Sequence, residues 1–122
     1  MRGESTLRVS AADTARSLGS GDVDVLGTPR LIALCEAATI RALDGSLDAG
    51  TSSVGMRIRV DHLQPTPVGA EVTAEAMLES IDGRRLTFTV SVSDSGGLVA
   101  AGKITRALVD RDRFMGRCCS TD

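Results

Sequence analysis

The chain has 122 residues, 42% of them hydrophobic and 25% charged, with a formal net charge of -2, the profile of one folded domain over residues 1–122 and not of a disordered or multidomain chain. No run approaches the ~20 apolar residues that a membrane helix needs, and the opening MRGESTLRVSAADT lacks the apolar core of an export signal. Near-neutral charge with no Trp, no Tyr and only Phe88 and Phe114 supplies neither the basic field nor the stacking platform of nucleic-acid binding.

In chain order, Leu7 and Val9 alternate with Arg8 and Ser10, so a short strand is expected from Thr6 to Ser10. Residues 11–27 are small, polar and glycine-containing and read as a mobile lid. From Thr28 the pattern turns helical, with a capping hydroxyl, Pro29 in the first turn and Asp44-Gly45 as a stop. Leu31, Ile32, Leu34, Cys35, Ala37, Ala38, Ile40 and Leu43 spread over nearly every face, which predicts a surrounded helix. The period then becomes two: Val54, Met56, Ile58, Val60 and His62 share one strand face, with Ser53, Gly55, Arg57, Arg59 and Asp61 on the other. Pro65, Pro67 and Gly69 break that strand. Val72, Ala74, Ala76 and Leu78 alternate next, Asp82-Gly83 turns into Leu86, Phe88, Val90 and Val92, and a last strand runs from about Leu98 to Val109. Cys118 and Cys119, adjacent in a tail over 115–122, and Cys35 in an apolar run form neither a disulfide framework nor a zinc spacing. A reducing cytoplasm and no metal site are expected, and the tail reads as a frayed end.

Hairpin-linked strands pair with their neighbours, and the apolar face of the resulting sheet needs one cover. The expected fold is α+β, an antiparallel sheet wrapped around one long central helix, the hotdog fold. A helix this apolar beside five strands also calls for a second copy, so a homodimer or higher homo-oligomer is expected.

Two residues break the apolar pattern. Glu36 is an acid within a helix that reads as core, and a buried carboxylate is costly unless it is paired or functional. Its ordinary reading is a wet stripe with Arg30 or Arg41 nearby, although neither lies at same-face spacing. His62, the only histidine, is in phase with a buried strand face; alone it reads as a satisfied core residue, and beside Glu36 as a general base with its orienting acid. Thr28 reads as a helix cap or as a nucleophile. Eight residues separate Thr28 from Glu36, roughly 12 Å of rise and about 80° of rotation, so a histidine would have to lie between them or the loop before Thr28 would have to fold back.

Thr28, the helix with Cys35-Glu36-Ala37, the run from Leu47-Asp48-Ala49-Gly50 through Val54-Gly55 to Val60-Asp61-His62, and Ile81-Asp82-Gly83-Arg84-Arg85-Leu86 together resemble the fluoroacetyl-CoA thioesterase family of hotdog proteins, from about Leu26 to Phe114. The resemblance implies hydrolysis of an acyl-CoA thioester with Thr28, Glu36 and His62 as the catalytic set, Thr28, Glu36 through an anhydride, or a water activated by His62 being the alternative nucleophiles, and Gly55 at the thioester carbonyl. It implies coenzyme A thioester as substrate and no further cofactor. Residues 10–27 lack the bulky aromatic lid of the specialised member of that family, so a small or medium acyl group is expected in place of strict fluoroacetyl selectivity. Arg84 and Arg85 are candidate substrate-binding residues for the coenzyme A phosphates, with Arg57, Arg59 and Lys103 as weaker ones. The rival readings are a non-catalytic acyl-CoA sensor or carrier, which keeps the groove without turnover, and a hotdog dehydratase, against which Asp61 and His62 count because they point to opposite strand faces. A purely structural role leaves Glu36 and His62 unexplained.

Overall fold

Alternation and turn chemistry produce the sheet. The computed structural model describes residues 1–119, without the side chain of Cys119. Val72, Ala74 and Ala76 of β3 (Glu71–Asp82) and Leu86, Phe88, Val90 and Val92 of β4 (Arg85–Asp94) are buried on one face, as a period of two requires. The hairpin between them turns at Gly83, whose φ of 61° suits a residue without a Cβ. With β1 (Arg2–Arg8), β2 (Thr51–His62) and β5 (Gly97–Asp110) the five strands stand in the order β1-β3-β4-β5-β2, every neighbouring pair antiparallel.

One long helix, α2 (Thr28–Ala42), covers the concave face, packing chiefly on β1 and β3. Leu31, Leu34, Cys35, Ala38 and Ala42 form its buried stripe at spacings of three and four and meet Phe88 and Ile104 in the core cluster. Small residues set the approach. Ala74 and Ala76 carry short side chains, and at Gly3, opposite Ala76, an added Cβ would strike the backbone of Ala38 and Ala42.

Within one chain α2 is covered on one side only. Ile40 is 54% exposed, and on the outer edge of the sheet Met56 and Ile58 of β2 are 46% and 40% exposed. The remaining differences from expectation are local. β1 begins at Arg2, because its partner is β3 and the ladder runs to Arg2 opposite Met77. The segment 11–27 holds a 3₁₀ turn (Ala11–Asp13) and a short helix α1 (Ala15–Leu18), the latter capped by the Thr14 hydroxyl, which accepts from Ser17 N. The Asp13 carboxyl, lowered in pKa chiefly by the Ser10 backbone N–H, also meets Arg30 Nε at 3.3 Å, and Leu26 N donates to Thr66 O at 2.8 Å. The end expected to be frayed is instead helical over α3 (Arg111–Cys119), whose first turn is capped by Asp110 Oδ1 accepting from Arg113 N at 2.9 Å. Residues 120–122 of the expected tail lie outside the described residues. No described helix is long and apolar enough to cross a membrane.

Candidate active site

The N-cap of α2 is Gly27, in extended conformation, and no side chain makes the capping bond. Thr28 therefore is not the cap its sequence context suggests: it is the first helical residue, and its side chain turns to the sheet. Thr28 Oγ1 lies 2.9 Å from His62 Nδ1. His62 ends β2, where Leu63 N and Gln64 N both bond to Val99 O and hold the strand end. Burial pulls the imidazole pKa below its ordinary value, with a smaller opposing contribution from the Gln64 backbone, which favours the neutral ring that can accept a proton. His62 Nε2 is buried and has no hydrogen-bond partner among the described residues.

Glu36 finds its counter-charge on β5. Arg106 Nη1 donates to Glu36 Oε2 at 3.2 Å, while Arg106 Nε donates to Ser53 Oγ at 2.9 Å and Nη2 to Ser53 O at 3.0 Å. The Arg106 side chain is 5% exposed and that of Glu36 32%, so the pair is shielded on the arginine side and open on the carboxylate side. Burial lowers the Arg106 pKa and the Glu36 charge opposes that shift. The expected helical partners are engaged elsewhere: Arg30 pairs with Asp13, and Arg41 Nη1 donates to Glu4 O at 3.3 Å. Arg106 was not singled out from the sequence, yet a signal exists. It lies in phase with Ala100 and Ile104 on a buried strand face, the same anomaly that marks Glu36.

Gly55 faces Glu36 and not the opposite side as strict alternation predicts. The register with β5 shifts between Gly55 and Arg57, and a bulge of one residue reverses the facing of everything before it. Ser53 and Gly55 thereby join Ile58, Val60 and His62 on the concave side. A Cβ at Gly55 would come within 2.5 Å of Glu36 Oε2.

The residues form two groups within one chain. His62 is opposite Ala100 and Gly55 opposite Arg106, a separation of six strand residues, about 20 Å. Thr28 and His62 occupy one end; Glu36, Gly55 and Arg106 occupy the other. His62 thus touches Thr28 and does not bridge to Glu36. Arg85, opposite Ala107, and Arg84, whose Nη1 donates to Leu108 O at 3.4 Å, lie at the Glu36 end. Arg57 and Arg59 are exposed, and Lys103 pairs with Glu79. Cys35, next to Glu36, is buried with its thiol pushed up to about 11 by burial, so it stays a neutral packing group.

A cavity of ≈ 330 Å³ opens beside Thr28 and His62, walled by Val23, Val25 and Leu26 of the segment 11–27 and by Leu63 and Pro65 after β2. Apart from the His62 imidazole its described lining is aliphatic and polar, without Phe, Tyr or Trp.

Comparison with known proteins identifies the family and the fold. The family model described as fluoroacetyl-CoA-specific thioesterase matches residues 9–112. The fluoroacetyl-CoA thioesterase of Streptantibioticus cattleyicolor is 36% identical over 91 residues, 75% of this chain and 66% of that protein, so the alignment spans slightly less than two thirds of the relative. The solved fluoroacetyl-CoA thioesterase FlK superposes with a TM-score of 0.92 at 30% identity, covering 100% of this chain and 95% of that one. A hot-dog-like protein from Thermanaerovibrio acidaminovorans superposes with a TM-score of 0.90 at 25% identity, covering 98% of this chain and 89% of its own. With the match running through the segment 11–27, α2 and all but the first strand, this chain belongs to the fluoroacetyl-CoA-specific thioesterase family of hotdog thioester hydrolases.

Proposed function

We propose that this protein hydrolyses acyl-CoA thioesters of small or medium acyl groups, with Thr28, His62 and Glu36 as its catalytic residues. The observation that carries the reading is the 2.9 Å contact between Thr28 Oγ1 and His62 Nδ1, made by a threonine with no capping duty and an imidazole whose neutral form burial favours. His62 Nδ1 takes the Thr28 proton as Oγ1 attacks the thioester carbonyl. The C–S bond breaks, the imidazolium returns the proton to the coenzyme A sulfur, and water, activated by the same imidazole, then hydrolyses the acyl-threonine. In that tautomer Nε2 bears the hydrogen and needs an acceptor, which the described residues do not supply.

A second copy supplies it in this reading. β2 is an edge strand carrying exposed Met56 and Ile58. Antiparallel pairing of two such edges about a two-fold axis near Ile58 sets the Gly55 end of one strand beside the His62 end of the other. Each composite site then holds Thr28 and His62 from one chain with Glu36, Gly55 and Arg106 from its partner, the carboxylate orienting the imidazole and the Gly55 region lying close to the carbonyl. The aliphatic cavity of ≈ 330 Å³ accommodates the acyl group.

Thiol release from acetyl-, fluoroacetyl-, propionyl- and benzoyl-CoA, measured for wild type beside His62→Ala and Thr28→Ala, tests this. Turnover of several acyl groups that falls at least a hundredfold in both variants is expected. Tight binding of the esters with no thiol release would replace the hydrolase by a sensor or carrier, and full activity in Thr28→Ala would transfer the attack to water.

A further inference from the structure

The run Asp22-Val23-Asp24-Val25 alternates charge with hydrocarbon, and the fold separates the two at the cavity beside Thr28 and His62. Val23 and Val25 line that cavity. Asp24 is turned to Arg16, whose Nε donates to Asp24 Oδ1 at 2.9 Å and whose Nη2 donates to Asp22 O at 3.0 Å. The apolar half is held from behind, because Ala15 N and Arg16 N of α1 donate to Val25 O and Val23 O at 2.9 and 3.2 Å. Leu26, Leu63 and Pro65 continue the wall, and no Asp, Glu, Lys or Arg among the described residues lines it. The arginines on the elements around it are engaged, Arg16 by Asp24 and Arg30 by Asp13. At the rim Val23 and Leu63 are 51% and 52% exposed.

These walls discriminate by charge and by length. A carboxylate carried into the cavity loses hydration and meets no counter-charge, which is costly, whereas each methylene buried there strengthens binding about fourfold. A water occupies about 30 Å³ of liquid and a methylene nearly the same, so a cavity of ≈ 330 Å³ holds about ten such groups. A two-carbon acyl group leaves most of that space to water and leaves Val23 and Leu63 uncovered. We infer that the acyl group taken by this site is an unsubstituted hydrocarbon chain of about four to eight carbons, its far end lying against Val23 and Leu63, and that acyl groups ending in a carboxylate are rejected. The inference rests on the thioesterase reading and adds to it the chemical class of the acyl group.

The test compares acetyl-, butyryl-, hexanoyl- and succinyl-CoA, the last carrying the four carbons of butyryl with a terminal carboxylate. The value of kcat/KM is expected to rise about fourfold per methylene up to hexanoyl, chiefly through KM, and to be at least a hundredfold lower for succinyl than for butyryl. The hexanoyl-to-acetyl ratio is expected to fall at least fivefold in Val23→Thr/Leu63→Asn and to be kept in Val23→Ile/Leu63→Met, with thermal melts to verify folding. Gly21 lines the same cavity, and a Cβ there meets only Ala15 Cβ at 3.4 Å, so Gly21→Leu is expected to shift the preferred chain to a shorter one. Calorimetric titration with S-hexyl-CoA and S-ethyl-CoA, thioethers without a bond to hydrolyse, reads the preference apart from turnover: S-hexyl-CoA is expected to bind at least tenfold more tightly to wild type. A hexanoyl-to-acetyl ratio near one, succinyl turned over as well as butyryl, a ratio unchanged in Val23→Thr/Leu63→Asn, or equal affinity for the two thioethers overturns the assignment while leaving the hydrolase reading intact. Tighter binding of S-hexyl-CoA by a protein that releases no thiol from any ester supports the acyl class and defeats the hydrolase.

Discussion

At the scale of single residues the chemistry depends on protonation and on one buried ion pair. Because the His62 pKa is lowered by burial, the acid limb of the kcat/KM profile is expected to have its midpoint below 6.5, the ordinary imidazole value, with activity lost as pH falls through it. The same shift makes the unfolded chain bind more protons in that window, so the His62 contribution to stability is complete above 6.5 and is lost as pH falls through the folded-state value. A plot of thermal midpoint against pH for wild type and His62→Gln checks the sign. Arg106 uses three separate nitrogens on Glu36 Oε2, Ser53 Oγ and Ser53 O, a fork that lysine does not reproduce. Arg106→Met is expected to destabilise the fold by about 2 kcal/mol, below the ~3–5 kcal/mol of a fully buried pair because Glu36 retains solvent. Arg106→Lys is expected to recover part of that stability and little of the activity. Urea denaturation set beside thiol release separates the two effects.

At the scale of elements, two glycines determine where α2 sits and what it presents. Gly3 lets β1 approach the helix backbone, and an added methyl there meets Ala38 O and Ala42 N, which have no rotamer to relax into. Gly3→Ala is expected to destabilise by about 1–3 kcal/mol, as overpacking does. At Gly55 the methyl meets the end of a flexible carboxylate, so Gly55→Ala is expected to shift Glu36 with little change in thermal midpoint and a loss of at least tenfold in kcat. Equal behaviour of the two variants in melting and in turnover would show that the bulge in β2 has no functional consequence. The segment 11–27 makes a related point. Its helical turns are tied to α2 by Asp13 and Arg30 and to the loop after β2 by Leu26 and Thr66, so the aliphatic wall it lends to the cavity is positioned from both sides.

At the scale of the whole molecule, the unfinished parts share a location. The free edge of β2, the exposed Ile40, the His62 Nε2 without a partner among the described residues and the open side of Glu36 are the features that the proposed second copy would cover. A composite site predicts complementation. Glu36→Gln and His62→Ala homodimers are each expected to be inactive, and after mixing and subunit exchange half of the dimers are hybrids with one intact site of two. About a quarter of wild-type activity is then expected to return, from isologous pairing statistics. No recovery, with exchange verified by mass, would place the whole site within one chain.

How far the sequence reads depends on the range of the forces involved. Alternation over Val72–Leu78 and Leu86–Val92 and the apolar repeat after Thr28 disclose the strands, the helix and the hotdog order, because side-chain periodicity follows directly from backbone geometry. Glu36 and His62 are visible for the same reason, as polar residues in phase with buried faces. Three features were decided only by tertiary structure. The bulge after Gly55 comes from pairing with β5 and is invisible to a period of two, so Gly55 faces Glu36 against expectation. The partner of Glu36 stands 70 residues away on another strand, beyond any helical spacing rule. Thr28 keeps its hydroxyl for His62 because Gly27 occupies the cap position, and two positions one residue apart are separated only when the chain has folded and the backbone has chosen where the helix begins.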